Sequence, residues 1–373
     1  MRADVVVIGA GVQGSSVALR LAQAGRKVVV LERAIPGAEA SGAAGGILSP
    51  GVEAVEPGPF YTLCRASLDR YPTFVRDVEA LSGMSVGLRG GGTLEVALDD
   101  DHARILAARA EKLLRHGLPV EVLDDAALHR LEPAVSREAR GALHFPDETS
   151  LEPRLLVRAV YIAAARAGAS FVTGQVRRIV TEGGRAVGVD HDTGRIEAET
   201  VVLAAGSWSM QVEGNGLPPG SVRPVRGQVV IFDTRPPLLS RVVFSGHGYV
   251  VPRADGRVLC GSTMEEVGFE KAVTAGGLRQ VLDIGIGIAP ALARAPVIET
   301  WSNFRPASPD GEPILGAGAV PGLLYATGHT RNGILLTPIT ADAIVAAVLG
   351  RAPPVDLAPF SPARLAGLLG AHR

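Results

Sequence analysis

The sequence predicts an α/β fold, α+β overall, in which a Rossmann-like nucleotide domain is interrupted by insertions that form an antiparallel substrate domain. Three observations predict it. Residues 1–33 read as strand, glycine turn, helix, strand and acid, in that order. Short β-type runs separated by Gly and Pro turns fill residues 170–262, and from residue 323 a strand leads again into an Ala-rich helix.

The opening unit carries the densest information. Val5-Val6-Val7-Ile8 runs into Gly9-Ala10-Gly11-Val12-Gln13-Gly14, a helix to about Ala24, Gly25, a second apolar run Val28 to Leu31, and Glu32. Gly9 allows a tight strand-to-helix turn, Gly11 close approach of the backbone to a pyrophosphate, and Gly14 close packing of helix on strand. Free N–H groups at the helix start then face the phosphates. Glu32 stands where a carboxylate accepts hydrogen bonds from an adenosine ribose, and its charge repels a 2′-phosphate, which disfavours NADP. The motif alone does not choose between NAD and FAD.

Ala40-Ser41-Gly42-Ala43-Ala44-Gly45-Gly46-Ile47 is too small in side chain to build a core. It is either a flexible linker or, coming so soon after the ribose acid, a segment that wraps the cofactor; its position favours the second. Helices are expected from about Phe60 to Leu81, Asp101 to His116 and Leu155 to Ala167, the last closed by Gly168. Asp99-Asp100-Asp101 reads as the acidic first turn of a surface helix. Strands follow at Ser170 to Val172, Gln175 to Thr181, Ala186 to His191 and Glu199 to Ala204, with a turn at Asp192-Thr193-Gly194. Between about Val222 and Ser262 the pattern suggests an antiparallel sheet. Gly276 to Ile288 is broadly helical. Leu323 to Thr327 is a short strand leading into Gly328-His329-Thr330-Arg331-Asn332-Gly333, and Pro338 places the start of the final helix near Thr337. No internal repeat is visible.

Composition excludes several classes. The chain has 373 residues, 47% hydrophobic and 20% charged, with a formal net charge of -1. That is a folded protein with a substantial core and no Lys/Arg block, so nucleic acid is not expected as a partner. No segment reaches the ~20 uninterrupted apolar residues of a membrane helix, so no membrane partner is expected. The first strand begins almost at once and leaves no room for a signal peptide; a cytoplasmic protein is expected. Cys64 and Cys260 are far apart and in no CxxC pattern, and the eight histidines show neither HxH nor HExxH. Buried free thiols and no metal are the expectation.

The C-terminal third adds a more specific signal. Trp301-Ser302-Asn303-Phe304-Arg305-Pro306-Ala307-Ser308-Pro309-Asp310-Gly311-Glu312-Pro313-Ile314-Leu315-Gly316 and Gly328 to Leu336 resemble segments of the D-amino acid oxidase family of flavoproteins. Within it, the likeness is to the bacterial glycine oxidases that serve thiamin synthesis. It extends to Ala40–Pro50, Pro224-Val225-Arg226-Gly227-Gln228, Gly248 to Arg253 and Gly261-Ser262-Thr263-Met264. The resemblance implies FAD, a nucleotide domain of the glutathione reductase type, and oxidation of a small amino acid to an imine with O2 as acceptor. It divides the chain into an FAD-binding domain of residues 1–83, 140–220 and 303–373 and a substrate domain of 84–139 and 221–302. It further implies a homo-oligomer, a tetramer. The cofactor contacts it implies are Gly9, Gly11, Val12, Gln13, Gly14, Glu32 and Arg33, then Ser41, Gly42 and Ala44 to Ile47. Val176, Ala205, Gly206, Trp208, His329 and Arg331 to Leu335 complete the set.

The sequence departs from the family pattern at Asn303-Phe304 and Ala307-Ser308. Phe304 adds volume beside Arg305 and points to a small substrate. Some relatives hold flavin through a cysteine near this segment; none occurs between Ile298 and Gly316, so non-covalent FAD is expected.

Amino acid oxidation requires a fixed carboxylate and an α-hydrogen aligned with the flavin, which does the redox work. Arg305 is the first choice for the carboxylate, because a guanidinium matches its two oxygens as a fork; a surface arginine in a Pro/Gly loop is the alternative. Tyr249 either donates its hydroxyl to the same carboxylate or is a core tyrosine at a strand end. Met264, by resemblance, lines the pocket, though Met also serves plain packing. Arg331 and the backbone of Asn332, Gly333 and Ile334 either face the negative charge of a reduced flavin or form a simple helix entrance. His247 and His329 are candidate bases, but hydride transfer from a neutral amine needs none. Alternatives are a D-amino acid dehydrogenase passing electrons to a quinone or carrier, an NAD-dependent dehydrogenase, and a non-catalytic FAD-binding subunit.

Overall fold

The computed structural model describes residues 1–54 and 56–370. β1 (Arg2–Ile8), α1 (Val12–Gln23) and β2 (Val28–Glu32) open the chain, and α2 (Pro59–Ser82) follows. The apolar runs in β1 and β2 are unbroken because both faces are covered. Val5, Val7, Val28 and Val30 pack into one core with α1, while Val6, Ile8, Val29 and Leu31 pack into a second core on the other face. Side chains alternate across a strand, so a run without polar residues is what a doubly covered parallel sheet requires.

β3 (Thr93–Val96), α3 (Asp100–Arg115), β4 (Glu121–Leu123), α4 (Asp125–Leu131) and β5 (Ala142–Phe145) come next. Asp99 caps α3 by accepting from the His102 N–H at 2.7 Å, which agrees with the acidic-first-turn reading. After α5 (Pro153–Arg166), the strands β6 (Ser170–Thr173), β7 (Val176–Glu182), β8 (Arg185–His191) and β9 (Gly194–Leu203) follow. Then come β10 (Arg223–Asp233), β11 (Val242–Ser245), β12 (Gly248–Pro252), β13 (Arg257–Gly261) and α6 (Ala275–Ile288). β14 (Val297–Ala307), β15 (Ile314–Ala317), β16 (Leu323–Thr327) and α7 (Thr337–Val348) lead toward the end.

Two eight-stranded sheets result. In the first, the order is β15-β16-β9-β1-β2-β6, with β8 and β7 attached through β9; β1 lies parallel between β9 and β2. In the second, the order is β14-β10-β13-β12-β11-β3-β5-β4. The second sheet is antiparallel except where β11 runs parallel to β3. Both sheets draw on distant parts of the sequence, as the interleaved reading expects.

Three features differ from the sequence expectation. β5 pairs with β3 and β4, so the change of sheet falls after Phe145 rather than at 139/140. β14 runs as one strand through the expected boundary at 302/303, pairing with β10 over nearly its whole length. The Pro/Gly loop offered as an alternative around Arg305 is therefore a strand, and its hydrogen bonds to β10 fix where Arg305 points. Cys64 and Cys260 are free and buried.

One buried acid stands apart from the cavity described below. Glu148 is 3% exposed, accepts the Gly51 N–H at 2.6 Å, and leaves Oε2 without a partner among the described residues. Burial pushes its carboxyl from the ordinary 4.5 up to about 8, against the pull of the Gly51 amide and Arg109. Unfolding lets this group ionise near 4.5, so its stabilising contribution is complete below that pH and is lost as pH rises through about 8. Glu148→Gln, which cannot ionise, should flatten the fall in unfolding free energy between pH 5 and 8 by about 2 to 5 kcal/mol over the window, and the Tm profile with it. Parallel Tm profiles for the two proteins would contradict the assignment.

Candidate active site

The turn between β1 and α1 shows why three glycines stand there. Gly9 has φ +100°, and a Cβ on it would lie 2.7 Å from the Ala204 carbonyl oxygen. A Cβ on Gly14 would run into the Gly9 carbonyl, so α1 packs directly on the turn. At Gly11 the neighbour is Ser41 Oγ, 3.2 Å from where a Cβ would sit. Ser41 also accepts the Val12 N–H at 3.0 Å, which draws residues 40–43 over the helix start. The small-residue segment thus wraps the nucleotide turn.

Glu32 ends β2 with both oxygens on backbone amides: Oε2 accepts from Ala10 at 2.9 Å and Oε1 from Ala34 at 3.0 Å. Each oxygen keeps a lone pair for a hydroxyl. Removing the carboxylate in Glu32→Ala should weaken FAD binding by about 1 to 3 kcal/mol, measured by fluorescence titration of the apoprotein. Unchanged affinity would place the acid away from the ribose.

A single long cavity begins at Gly9, Gly11 and Glu32, passes Val176 and the 44–47 segment, and reaches Tyr249, Arg305 and Arg331. Arg33 stacks on Trp208 along its wall, with the guanidinium carbon 3.9 Å from the ring centroid. Most of the cofactor residues named from the sequence line this cavity, including Val12, Gln13, Ser41, Ala205, Gly206 and Asn332. Gly14, Gly42 and Leu335 do not line it. Gly14 acts from behind through packing, and a Cβ on Gly42 would crowd the Gly37 carbonyl at 2.7 Å. Leu335 is 1% exposed and belongs to the core beside α1.

The residues present fit a flavin dinucleotide. Gln13 is buried against the cavity, with Nε2 donating to the Gly333 carbonyl at 2.7 Å and Oε1 left without a partner among the described residues. Such an orphaned acceptor is costly unless a ligand or water meets it. The amides of Gly333, Ile334 and Leu335, ahead of α7, have no acceptor among the described residues. A turn of free N–H groups suits developing negative charge.

At the far end, β14 and β10 deliver Arg305. Nη1 donates to the Thr263 carbonyl at 3.1 Å and Nη2 to Ser262 Oγ. Burial lowers the pKa of its guanidinium, Tyr249 counteracting. No carboxylate among the described residues lies within 4.0 Å of it. Arg331 differs: it pairs with Glu53 at 3.0 Å, and that carboxylate raises its pKa. Three guanidiniums line the cavity; Arg33 pairs with Glu39 and Arg331 with Glu53, and Arg305 is the one lacking a carboxylate partner among the described residues. Tyr249 Oη is 3.5 Å from Ser262 Oγ, so Tyr249 and Arg305 meet at one serine.

Three expectations change. Met264 does not line the cavity and is 59% exposed, whereas Thr263 is fully buried. The Arg226–Glu265 bridge keeps this segment extended, so alternation turns Thr263 inward and Met264 outward. Phe304 is next to Arg305 on a strand and faces the opposite way; its ring sits edge-on to Trp208 and Phe269, with centroids 6.1 and 5.5 Å away. Phe304 lines the cavity on the Trp208 side and not beside the guanidinium. His329 is buried, bonded through Nε2 to Thr340 at 3.1 Å, and burial lowers its pKa to about 3, so it stays neutral and is not a base. His247 is absent from the cavity lining. Glu53, Ser262 and Gly227 are site residues that the sequence does not single out. Glu53 sits in a short turn with no periodicity to mark it, whereas Ser262 and Gly227 lay inside noted motifs with nothing to single them out.

Fold and cavity together define a flavin-dependent oxidoreductase. The chain belongs to the DAO family, described as FAD dependent oxidoreductase, whose profile matches residues 4–347. FAD is its cofactor. It is 36% identical over 349 residues to the bifunctional protein ThiO/ThiG of Trichormus variabilis, covering 92% of this chain and 52% of that one. The chain thus spans about half the length of such curated relatives. The glycine oxidase of Geobacillus kaustophilus is 32% identical over 380 residues, covering 99% of each chain. The crystal structure of glycine oxidase from the same organism superposes with a TM-score of 0.93, at 32% identity, over 96% of this chain and 98% of that one. No helix among the described residues is long and apolar enough to cross a membrane.

Proposed function

We propose that this chain is an FAD-dependent oxidase of glycine or another small amino acid, sarcosine or D-alanine, giving an imine, then the 2-oxo acid, H2O2 and ammonia, or methylamine from sarcosine. One observation carries the reading: a guanidinium without a carboxylate partner, shared through Ser262 with Tyr249, in the same cavity as the nucleotide turn. The likeness to glycine oxidases over the full chain supports the substrate class. Arg305 fixes the substrate carboxylate as a fork and Tyr249 adds a hydroxyl donor. Holding one end of so small a substrate leaves the α-carbon little freedom, which is the entropic part of catalysis. FAD, when bound, supplies the acceptor for the α-hydride, and O2 takes the two electrons on. With its pKa lowered by burial and Nε2 bonded to Thr340, His329 is not placed to take a proton from the substrate amine. The free amides of Gly333, Ile334 and Leu335 would help hold a bound flavin by meeting negative charge on it. Cys64 and Cys260 do not line the cavity, which supports non-covalent FAD.

The test is peroxide formation in air with a panel of glycine, sarcosine, D-alanine and bulky D-amino acids. Peroxide with the small members ahead is the expected result. Flavin reduction with quinone turnover and no peroxide would make the chain a dehydrogenase, and D-phenylalanine ahead in kcat/KM would refute the small substrate.

A further inference from the structure

The face of β10 that carries Val225, Gly227 and Val229 lies beside the face of β14 that carries Asn303 and Arg305, with Val225 paired to Arg305 and Gly227 to Asn303. Side chains two residues apart share a face, so Gly227 is the one gap between two valines in the surface across which Arg305 lies. The guanidinium fills that gap. A Cβ on Gly227 would stand 2.5 Å from both terminal nitrogens of Arg305 and 2.7 Å from the carbon between them. The opposite side of the group is fixed by Ser262 Oγ and the Thr263 carbonyl. Of the five N–H donors of a guanidinium these two contacts take two, and three are left for a ligand.

We propose that Gly227 is a positioning residue: its missing side chain is the seat of the Arg305 guanidinium, and Ser262 fixes the rotation of the group on that seat so that its free donors present a fork. This rests on reading Arg305 as the carboxylate anchor. Gly227 has no left-handed φ, so the backbone admits alanine, and the atoms that must yield belong to the end of a flexible side chain. Gly227→Ala therefore folds and moves Arg305. Displacement of an anchoring group by about an ångström costs on the order of a hundredfold.

The test uses the FAD-loaded enzyme and acetate as the probe, with binding read from the flavin spectrum. Gly227→Ala should raise the acetate Kd about ten- to hundredfold with FAD content unchanged. Arg305→Lys should weaken acetate in the wild-type background but add less than about threefold to Gly227→Ala, because the seat and the fork are one interaction and their losses do not add. Ser262→Ala should weaken acetate and Ser262→Thr should largely restore it, which keeps the proposal testable if Gly227→Ala fails to fold. Unchanged acetate binding in Gly227→Ala, or losses that multiply in the double variant, overturns the seat. Unchanged binding in Arg305→Ala overturns the anchor reading itself, and with it the seat.

Discussion

Replacing Arg305 with alanine is expected to lower kcat/KM for glycine by roughly thirtyfold to a few thousandfold. The guanidinium has no carboxylate partner among the described residues, so the substrate carboxylate it would meet has nothing else of opposite charge nearby except the Arg331–Glu53 pair. Truncation leaves that carboxylate desolvated and unpaired, a loss on the order of 2 to 5 kcal/mol, and each 1.4 kcal/mol is tenfold. Arg305→Lys should recover only part of this, because an ammonium keeps the charge and loses the fork. FAD content should stay normal in both variants. Steady-state kinetics with flavin quantified beforehand checks this; wild-type kinetics in Arg305→Ala would shift the role to Arg331.

The second large effect is expected at the other end of the cavity. In Gly14→Ala the new methyl meets the Gly9 carbonyl and lies 3.2 Å from Val7 Cγ1. The first obstacle is backbone, so α1 must lift off the turn. Overpacking of this kind costs about 1 to 3 kcal/mol, and here it also moves the amides that face the phosphates. FAD affinity should fall about five- to a hundredfold and Tm should drop with it. Apoprotein titration with FAD measures the first and a melting curve the second. Wild-type affinity would show that helix and turn do not need the contact.

Much of this architecture is legible in the sequence because a local pattern encodes it. Gly9 to Gly14 and Glu32 mark the nucleotide turn by spacing alone, and Val5 to Ile8 announces a doubly covered strand. Arg305 is marked by a segment that resembles the family pattern; its lack of a counter-ion is a tertiary fact that no window of residues contains. Ser262, Gly227 and Glu53 illustrate the same limit. Each matters through a partner far away in the chain: Ser262 and Gly227 through Arg305, Glu53 through Arg331. Met264 enters by resemblance and Phe304 by its place beside Arg305, and at both, extended backbone turns the side chain to the face opposite its site-facing neighbour. The boundary at 139/140 failed because β5 is too short to announce which sheet it joins.

A carboxylate-selecting site beside FAD is the centre of the proposed function. Its most direct test is anaerobic titration of the yellow holoenzyme with glycine and, separately, with methylamine, which has the amine and lacks the carboxylate. The prediction is that glycine bleaches the flavin absorbance in the wild type at concentrations where methylamine does not, and that Arg305→Ala loses this preference while dithionite still reduces it fully. Equal bleaching of the wild type by both amines, or a glycine preference that survives in Arg305→Ala, would contradict the account.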